Sequence, residues 1–122
     1  MILGQTVFSV RKGTEHRAEK ALLDLAANLR EAQGHTAHRM LRSFGMSPLA
    51  SALHDETRES ELGDAHYVFE TEWESLEAHD LFYRSEPVQR IYGTLHSILT
   101  TGPFEVLYEE LVEERQHDGV AL

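Results

Sequence analysis

One stretch decides the fold prediction for this chain: Tyr67-Val68-Phe69-Glu70-Thr71-Glu72-Trp73-Glu74-Ser75-Leu76-Glu77-Ala78-His79. Its first half alternates strictly, which is typical of a β-strand with one buried face made by Tyr67, Phe69, Thr71 and Trp73. Ser75 is a good helix N-cap, and an acidic, alanine-containing segment follows it. The stretch therefore predicts a strand that ends at a tryptophan and turns directly into a helix.

The same criteria, applied outward, predict strands over residues 6–10, 36–44, 66–73 and 104–112. Between the first two strands, apolar residues at helical spacing predict a helix with Thr14 as its N-cap and Gly34 as its C-terminal cap. The helix after Ser75 is expected to break near Pro87 and to resume beyond it. The pair Gly102-Pro103 is expected to end that second segment.

The resulting order, β-α-β-β-α-β, predicts a ferredoxin-like α+β domain over residues 1–112: a four-stranded antiparallel sheet with helices on one face. Residues 46–64 are predicted to form a long loop or lid, a partly helical insertion or a mobile segment, and residues 113–122 a polar tail. Apolar residues on the helix-free face would need a cover. A second copy packed sheet to sheet supplies one, so we predict a homodimer with that face, Leu3, Val7, Leu41, Leu107 and Leu111, at the interface.

Composition excludes several classes of function. The chain carries 21 acidic residues against 11 lysines and arginines, a formal charge of −10, which repels phosphate backbones and anionic lipids. We therefore expect neither nucleic acid nor a membrane as a partner. With no cysteine, disulfides, thiolate metal sites and cysteine nucleophiles are excluded. No signal segment or long apolar run is present, so the expected location is the cytoplasm.

The corner Trp73-Glu74-Ser75 and the helix after it resemble the antibiotic biosynthesis monooxygenase (ABM) domains of the dimeric α+β barrel superfamily. The resemblance covers roughly residues 6–112 and is most specific over 67–85. Members of that family are often cofactor-independent oxygenases acting on electron-rich aromatic or quinol-like substrates. The resemblance implies a dimeric α+β barrel whose substrate pocket lies between the sheet and the second helical segment, near Thr6, Phe8, Trp73, Phe82 and Tyr92.

One branch of that family binds and degrades heme with an asparagine, a tryptophan and an iron-ligating histidine. Those positions correspond here to Thr6, to Phe82, and to Ile91 or Tyr92. Because all three signature residues differ, the resemblance implies no histidine-ligated heme from this helix. Ligation by a tyrosinate is chemically possible, so a heme-binding barrel is kept as an alternative.

The eight histidines of the chain suggest a role in metal binding or proton transfer, because imidazole binds divalent ions and titrates near neutral pH. His35 and His38 have helix-like ligand spacing, but strand residues three apart point to opposite faces, so we predict no metal site there. His66, Glu70 and Glu72 share a strand face. Their two carboxylates are either a coupled pair inside the dimer barrel or part of a solvated edge or an interchain polar contact.

The sequence therefore predicts a monooxygenase that oxidises an aromatic or quinol-like molecule with oxygen and no permanent cofactor. The predicted proton-handling residues are Tyr92, His79 and His38, and the predicted substrate-binding residues are Thr6, Phe8, Trp73 and Phe82. The hydroxyls of Tyr67, Tyr83 and Tyr92 are available to orient a phenolic substrate. Two alternatives use the same fold: a non-oxidative cyclase or isomerase with a histidine–tyrosine pair, and a non-catalytic binding barrel.

Overall fold

The computed structural model describes residues 1–45, 63–114 and 116, and their elements follow the predicted order. They are β1 (Ile2–Val10), α1 (Glu15–Leu29), β2 (His35–Arg42), β3 (Ala65–Trp73), α2 (Leu76–Arg84), α3 (Glu86–Leu95) and β4 (Leu99–Glu109). The strands form one antiparallel sheet in the order β2-β3-β1-β4. This confirms the ferredoxin-like α+β fold, with the break between the two helical segments at Ser85.

Strand β1 lies in the middle of the sheet, and its register fixes which side chains face the helices. Thr6 pairs with Phe69 on one side and Glu105 on the other, and Phe8 pairs with Tyr67. Directly paired antiparallel residues share a face. The even-numbered residues of β1 and the odd-numbered residues of β3 are therefore buried beneath the helices, as the alternation from Tyr67 to Trp73 predicts.

Local capping explains how the strand-to-helix corner forms. Ser75 is extended and its Oγ accepts a hydrogen bond from the Ala78 amide at 3.1 Å, which confirms the predicted N-cap of α2. Thr14 occupies the N-cap position of α1 as predicted, but its hydroxyl donates backward to the Arg11 carbonyl and makes no cap bond. Gly34, at φ +83°, serves the turn into β2 instead of capping α1, which ends at Leu29.

Strand β4 begins at Leu99, five residues earlier than predicted, and Gly102-Pro103 lies inside it. The strand accommodates this pair through shifts in its register with β1, between Val7 and Val10. Beyond the shifts, Leu107 pairs with Gly4 and so faces the helices, contrary to its predicted place on the open face. The aromatic and apolar residues on the helix-free face of β4 are Phe104, Val106 and Tyr108.

The helix-free face is mainly apolar and open in the described residues. Val7 is 40% exposed, Phe104 62% and Val106 53%. Polar contacts cross the same face: Glu70 accepts hydrogen bonds from Gln5 at 2.9 Å and from Arg39 at 2.7 Å. The Gln5 bond, followed by the Arg39 bonds and charge, holds the pKa of Glu70 below its usual value, so this carboxylate is part of a structural network.

The predicted lid over residues 46–64 and the polar tail over 113–122 lie mostly outside the described residues. Of the helices in the parts of the chain that the structure describes, none is long and apolar enough to cross a lipid bilayer.

Gly102 is the position where the fold most directly requires glycine. Its φ is +82°, and a Cβ there would lie 2.6 Å from the Val7 carbonyl oxygen and 3.1 Å from the Phe8 Cα. We expect Gly102→Ala to lower the free energy of unfolding by more than about 3 kcal/mol, because backbone strain adds to a clash with a rigid strand. Chemical denaturation measures this value.

Gly13→Ala is the matched control, since its φ is +96° but a Cβ would meet no atom within 4 Å. This substitution should lower the free energy of unfolding by only about 1–2 kcal/mol, because the left-handed backbone is the only source of strain. Equal losses at Gly13 and Gly102 would contradict the clash that we infer.

Candidate functional site

Polar side chains are packed between the helix-facing side of the sheet and helices α2 and α3, where a small domain would normally place apolar residues. We call this group the inner polar cluster. It takes two threonines and a glutamate from the sheet and three aromatic polar residues from the helices: Thr6, Thr71, Glu105, His79, Tyr83 and Tyr92. Buried polar groups are costly unless they are paired, so the cluster calls for a specific role.

His79 joins the helix to the sheet through a close contact with Glu105. The residue is 5% exposed, and its Nε2 lies 2.9 Å from Oε1 of Glu105 while its Nδ1 lies 2.8 Å from Oδ1 of Asp80. A neutral imidazole carries only one N–H and can donate to only one of two carboxylates. The ring therefore contacts a carboxylate at each nitrogen, one from its own helix and one from β4.

The position of Glu105 depends on a glycine in the neighbouring strand. Gly4 is buried in β1, and a Cβ built on it would collide with the Glu105 carboxylate and lie 3.3 Å from the Thr71 hydroxyl. A glycine inside a strand often marks such a close approach. The missing side chain leaves the space in which the carboxylate reaches His79.

Tyr83 and Tyr92 are phenols kept in their neutral form. Burial raises the pKa of Tyr92 to about 12; the charge of Glu105 adds to the rise, while the Tyr83 and Thr6 hydroxyls oppose it. Burial first, then Tyr92 and Glu105, raise the pKa of Tyr83 above its ordinary range. At neutral pH both side chains are therefore hydrogen-bond donors and acceptors, and neither is a base.

The Tyr83 hydroxyl is buried and makes no hydrogen bond of good geometry within the described residues. Thr71 and Tyr92 lie near enough to affect its pKa through their hydroxyls, but neither contact has ordinary hydrogen-bond geometry. An orphaned buried hydroxyl costs free energy, and in native proteins it usually has a functional reason or an additional partner. This group is therefore the one in the cluster that is most ready to bond a bound molecule.

Trp73 forms the wall beside the cluster. Its Nε1 donates a 2.8 Å hydrogen bond to the Thr71 hydroxyl. Its ring centroid lies 5.3 Å from that of Phe82 and 5.9 Å from that of His79, with the latter pair edge to face. Trp73 therefore contacts the inner polar cluster through Thr71 and His79.

The structure brings together three of the predicted site residues in the cluster, Thr6, His79 and Tyr92, with Trp73 and Phe82 beside them. Two others lie elsewhere. Phe8 stacks on Tyr67, with ring centroids 5.2 Å apart. The His38 ring packs against His35, with centroids also 5.2 Å apart.

Sequence reasoning missed Glu105 and Thr71. Glu105 looks like one of several acids near the carboxyl end, and the signal that could have found it is Gly4 inside a predicted strand. Within the described ranges, no group of three or more His, Asp or Glu side chains could hold a metal ion.

A groove of about 460 Å³ opens elsewhere, between α1 and β2, and has Glu19, Arg42 and Tyr67 among its lining residues. Arg42 and the Tyr67 hydroxyl both donate to Oε2 of Glu19 at 2.8 Å, and the Arg42 bond leads in lowering the pKa of Glu19. These polar groups already bond one another, whereas the inner polar cluster keeps an unpartnered hydroxyl. Although the groove is more open, the cluster is the better candidate for chemistry.

The sequence matches no family model and no curated protein. Solved structures match the fold over nearly the whole chain. A candidate antibiotic biosynthesis monooxygenase from Deinococcus radiodurans has a TM-score of 0.71 at 13% identity, covering 97% of this chain and 100% of its own. Rv0793 from Mycobacterium tuberculosis has a TM-score of 0.68 at 16% identity, with 93% and 98% covered.

SnoaB, a cofactor-independent oxygenase from Streptomyces nogalater, has a TM-score of 0.66 at 14% identity, covering 94% of this chain and 97% of its own. At such low identity these matches show a shared fold and not a shared reaction. The chain has the α+β fold of antibiotic biosynthesis monooxygenase domains.

The two hydroxyl-bearing neighbours, Thr71 and Tyr83, should respond oppositely to removal of their oxygen. Thr71→Val leaves the fully buried Trp73 N–H without its acceptor, so we expect the free energy of unfolding to fall by about 1–3 kcal/mol. Tyr83→Phe removes an unsatisfied group and should change stability by less than about 0.5 kcal/mol or increase it. Urea unfolding of both variants measures this, and an equal loss in Tyr83→Phe would show that its hydroxyl is bonded in solution.

Proposed function

We propose that this chain is a cofactor-independent monooxygenase that oxidises an aromatic or quinol-like phenol with molecular oxygen at the inner polar cluster. One observation carries the proposal: a buried Tyr83 hydroxyl without a hydrogen-bond partner among the described residues lies beside a second neutral phenol, Tyr92, and near the close contact between His79 and Glu105. Such a site offers donors for a phenolic oxygen and an acceptor for its proton. The fold shared with SnoaB is consistent with this chemistry.

In the proposed reaction, the Tyr83 and Tyr92 hydroxyls orient the substrate oxygen, and the Glu105–His79 pair takes its proton. The resulting electron-rich anion reduces oxygen in a dry site. Oxygen then bonds to a ring carbon that carries a hydrogen. That carbon loses its hydrogen as a proton and the O–O bond breaks, which leaves a quinone carbonyl, and the second oxygen atom leaves as water with the phenolic proton and the ring proton. The substrate supplies all the electrons, so no external reductant is needed.

This assignment refines the roles expected from sequence. Tyr92 acts as a donor and not as a base, because its pKa is raised to about 12. The proton acceptor is the Glu105–His79 pair. Trp73 and Phe82 form the aromatic wall, and Thr6 adds a hydroxyl beside Tyr92. The proposal gives His38 no proton-transfer role, because its ring packs against His35.

A non-oxidative cyclase or isomerase is the second candidate, and the same observation favours it. The His79–Glu105 pair is equally suited to moving a proton between two positions of a substrate without oxygen. A heme-binding barrel has less support. Tyr92 stays protonated up to a pH of about 12, so ligation as a tyrosinate would have to overcome its buried environment.

We expect Glu105→Gln to lower kcat for oxygen consumption at least about a hundredfold, because an amide cannot accept the substrate proton. The measurement uses an oxygen electrode, protein stripped of metals and flavin, and a panel of hydroquinones, naphthols and polycyclic phenols. Glu109→Gln, an exposed glutamate in the same strand, is the matched control and should leave turnover unchanged.

Two outcomes would redirect the assignment. Turnover of the same substrates under strict anaerobiosis would favour the cyclase or isomerase. Full oxygen consumption by Glu105→Gln would remove the cluster from the mechanism.

We also propose that the chain is a homodimer joined through the helix-free face. The supporting observation is the exposure of apolar side chains on adjacent strands, including Val7, Phe104 and Val106. Exposed apolar patches of this kind mark interaction surfaces in soluble proteins. An obligate interface here would bury more than about 2,000 Å² in total.

Val106→Glu should convert the dimer to a monomer, since it would bury a charge on each side of the interface. Leu81→Glu, at a 58% exposed position on α2, should remain dimeric. Sedimentation velocity at micromolar concentration tests both variants against the native chain. A native monomer, or dissociation by Leu81→Glu alone, would defeat this interface.

A further inference from the structure

Two histidines of β2 form a close pair that regular strand geometry does not predict. Strand residues three apart point to opposite faces. In this fold, however, Nδ1 of His38 lies 3.3 Å from Nε2 of His35, and their ring centroids are 5.2 Å apart. The prediction that these two residues face away from each other was wrong.

A register irregularity at Thr36 brings the pair together. His35 lies opposite Trp73 and Ala37 lies opposite Glu72, so β2 has one more residue than β3 in this interval. An extra residue of this kind rotates the chain by one position. His35 thereby turns to the face of His38, which lies opposite Thr71.

The separation of the rings fits shared ligation of one ion. Two imidazole nitrogens bound to a tetrahedral ion at about 2.0–2.1 Å lie about 3.3 Å apart, with ring centroids about 5.2 Å apart. A linear N–H···N hydrogen bond of the same N···N length would hold the centroids about 5.6 Å apart. The observed values, 3.3 Å and 5.2 Å, match the first geometry, and without an ion the same two nitrogens are within hydrogen-bonding distance of each other.

The charge of the chain favours a cation at this pair. The chain's formal charge of −10 attracts cations in general.

We propose that His35 and His38 form a two-histidine site for one divalent transition-metal ion, of the Cu²⁺, Ni²⁺ or Zn²⁺ class. Imidazole nitrogens suit these ions, and Cu²⁺ binds most tightly of the three. The remaining coordination positions are open to water or to an anionic oxygen ligand. With two protein ligands the site binds more weakly than a closed structural zinc site, which has four.

The only tryptophan of the chain supplies a reporter. The Trp73 ring centroid lies 5.5 Å from that of His35. Paramagnetic Cu²⁺ bound by the pair should therefore quench Trp73 fluorescence strongly. The experiment titrates untagged, metal-stripped protein with Cu²⁺, and measures Zn²⁺ by competition with a chromophoric chelator. The result expected is saturable quenching at one ion per protomer that EDTA reverses.

Matched variants locate the ion. His38→Gln should weaken binding of Cu²⁺ and Zn²⁺ at least about tenfold, because one of the two ligands is lost. His35→Gln should do the same and provides a second measurement if either variant folds poorly by circular dichroism. His16→Gln, at an exposed position on α1, should bind like the native chain.

His79 also lies against Trp73, so its variant separates the two neighbours of the reporter. Quenching that is lost in His79→Gln and kept in His38→Gln would overturn the proposal. So would a native chain that binds neither ion at micromolar concentration. Both readouts measure binding and not turnover, so their outcome is independent of the proposed oxygenase activity.

Discussion

The close approach of Glu105 to Gly4 is the constraint on which the interior of this protein depends. Because Gly4 has no side chain, a carboxylate from β4 lies over the backbone of β1 and reaches His79 on α2. This contact links the sheet to the helix, with the imidazole buried and the carboxylate partly open to solvent.

The same pair sets the electrostatics of its neighbours. Burial and the Glu105 charge both raise the pKa of Tyr92 and Tyr83, which keeps two phenols neutral beside one ionic group. Two neutral donors therefore lie beside a carboxylate. The proposed oxygenase chemistry uses this division, which also suits proton shuttling without oxygen.

Trp73 connects the two histidine-containing regions of the molecule. His79 meets one part of its ring from α2, and His35 meets it from β2. The tryptophan also donates to Thr71, which fixes the ring relative to the sheet. A side chain that would ordinarily be explained as a large core residue thus lies against both the inner polar cluster and the proposed two-histidine site.

The sequence by itself determined the fold class, because strict alternation from Tyr67 to Trp73 and the Ser75 cap are local signals of a strand and a helix start. It also predicted Thr6, His79, Tyr92, Trp73 and Phe82 as site residues, and the structure places these five side chains near one another. Only the tertiary structure showed that Glu105 reaches His79 and that His35 and His38 meet. The position of Glu105 depends on strand pairing across the sheet, and the histidine pair depends on one unpaired residue at Thr36. Alternation along one strand carries no information about its register with the next, so neither contact is encoded locally.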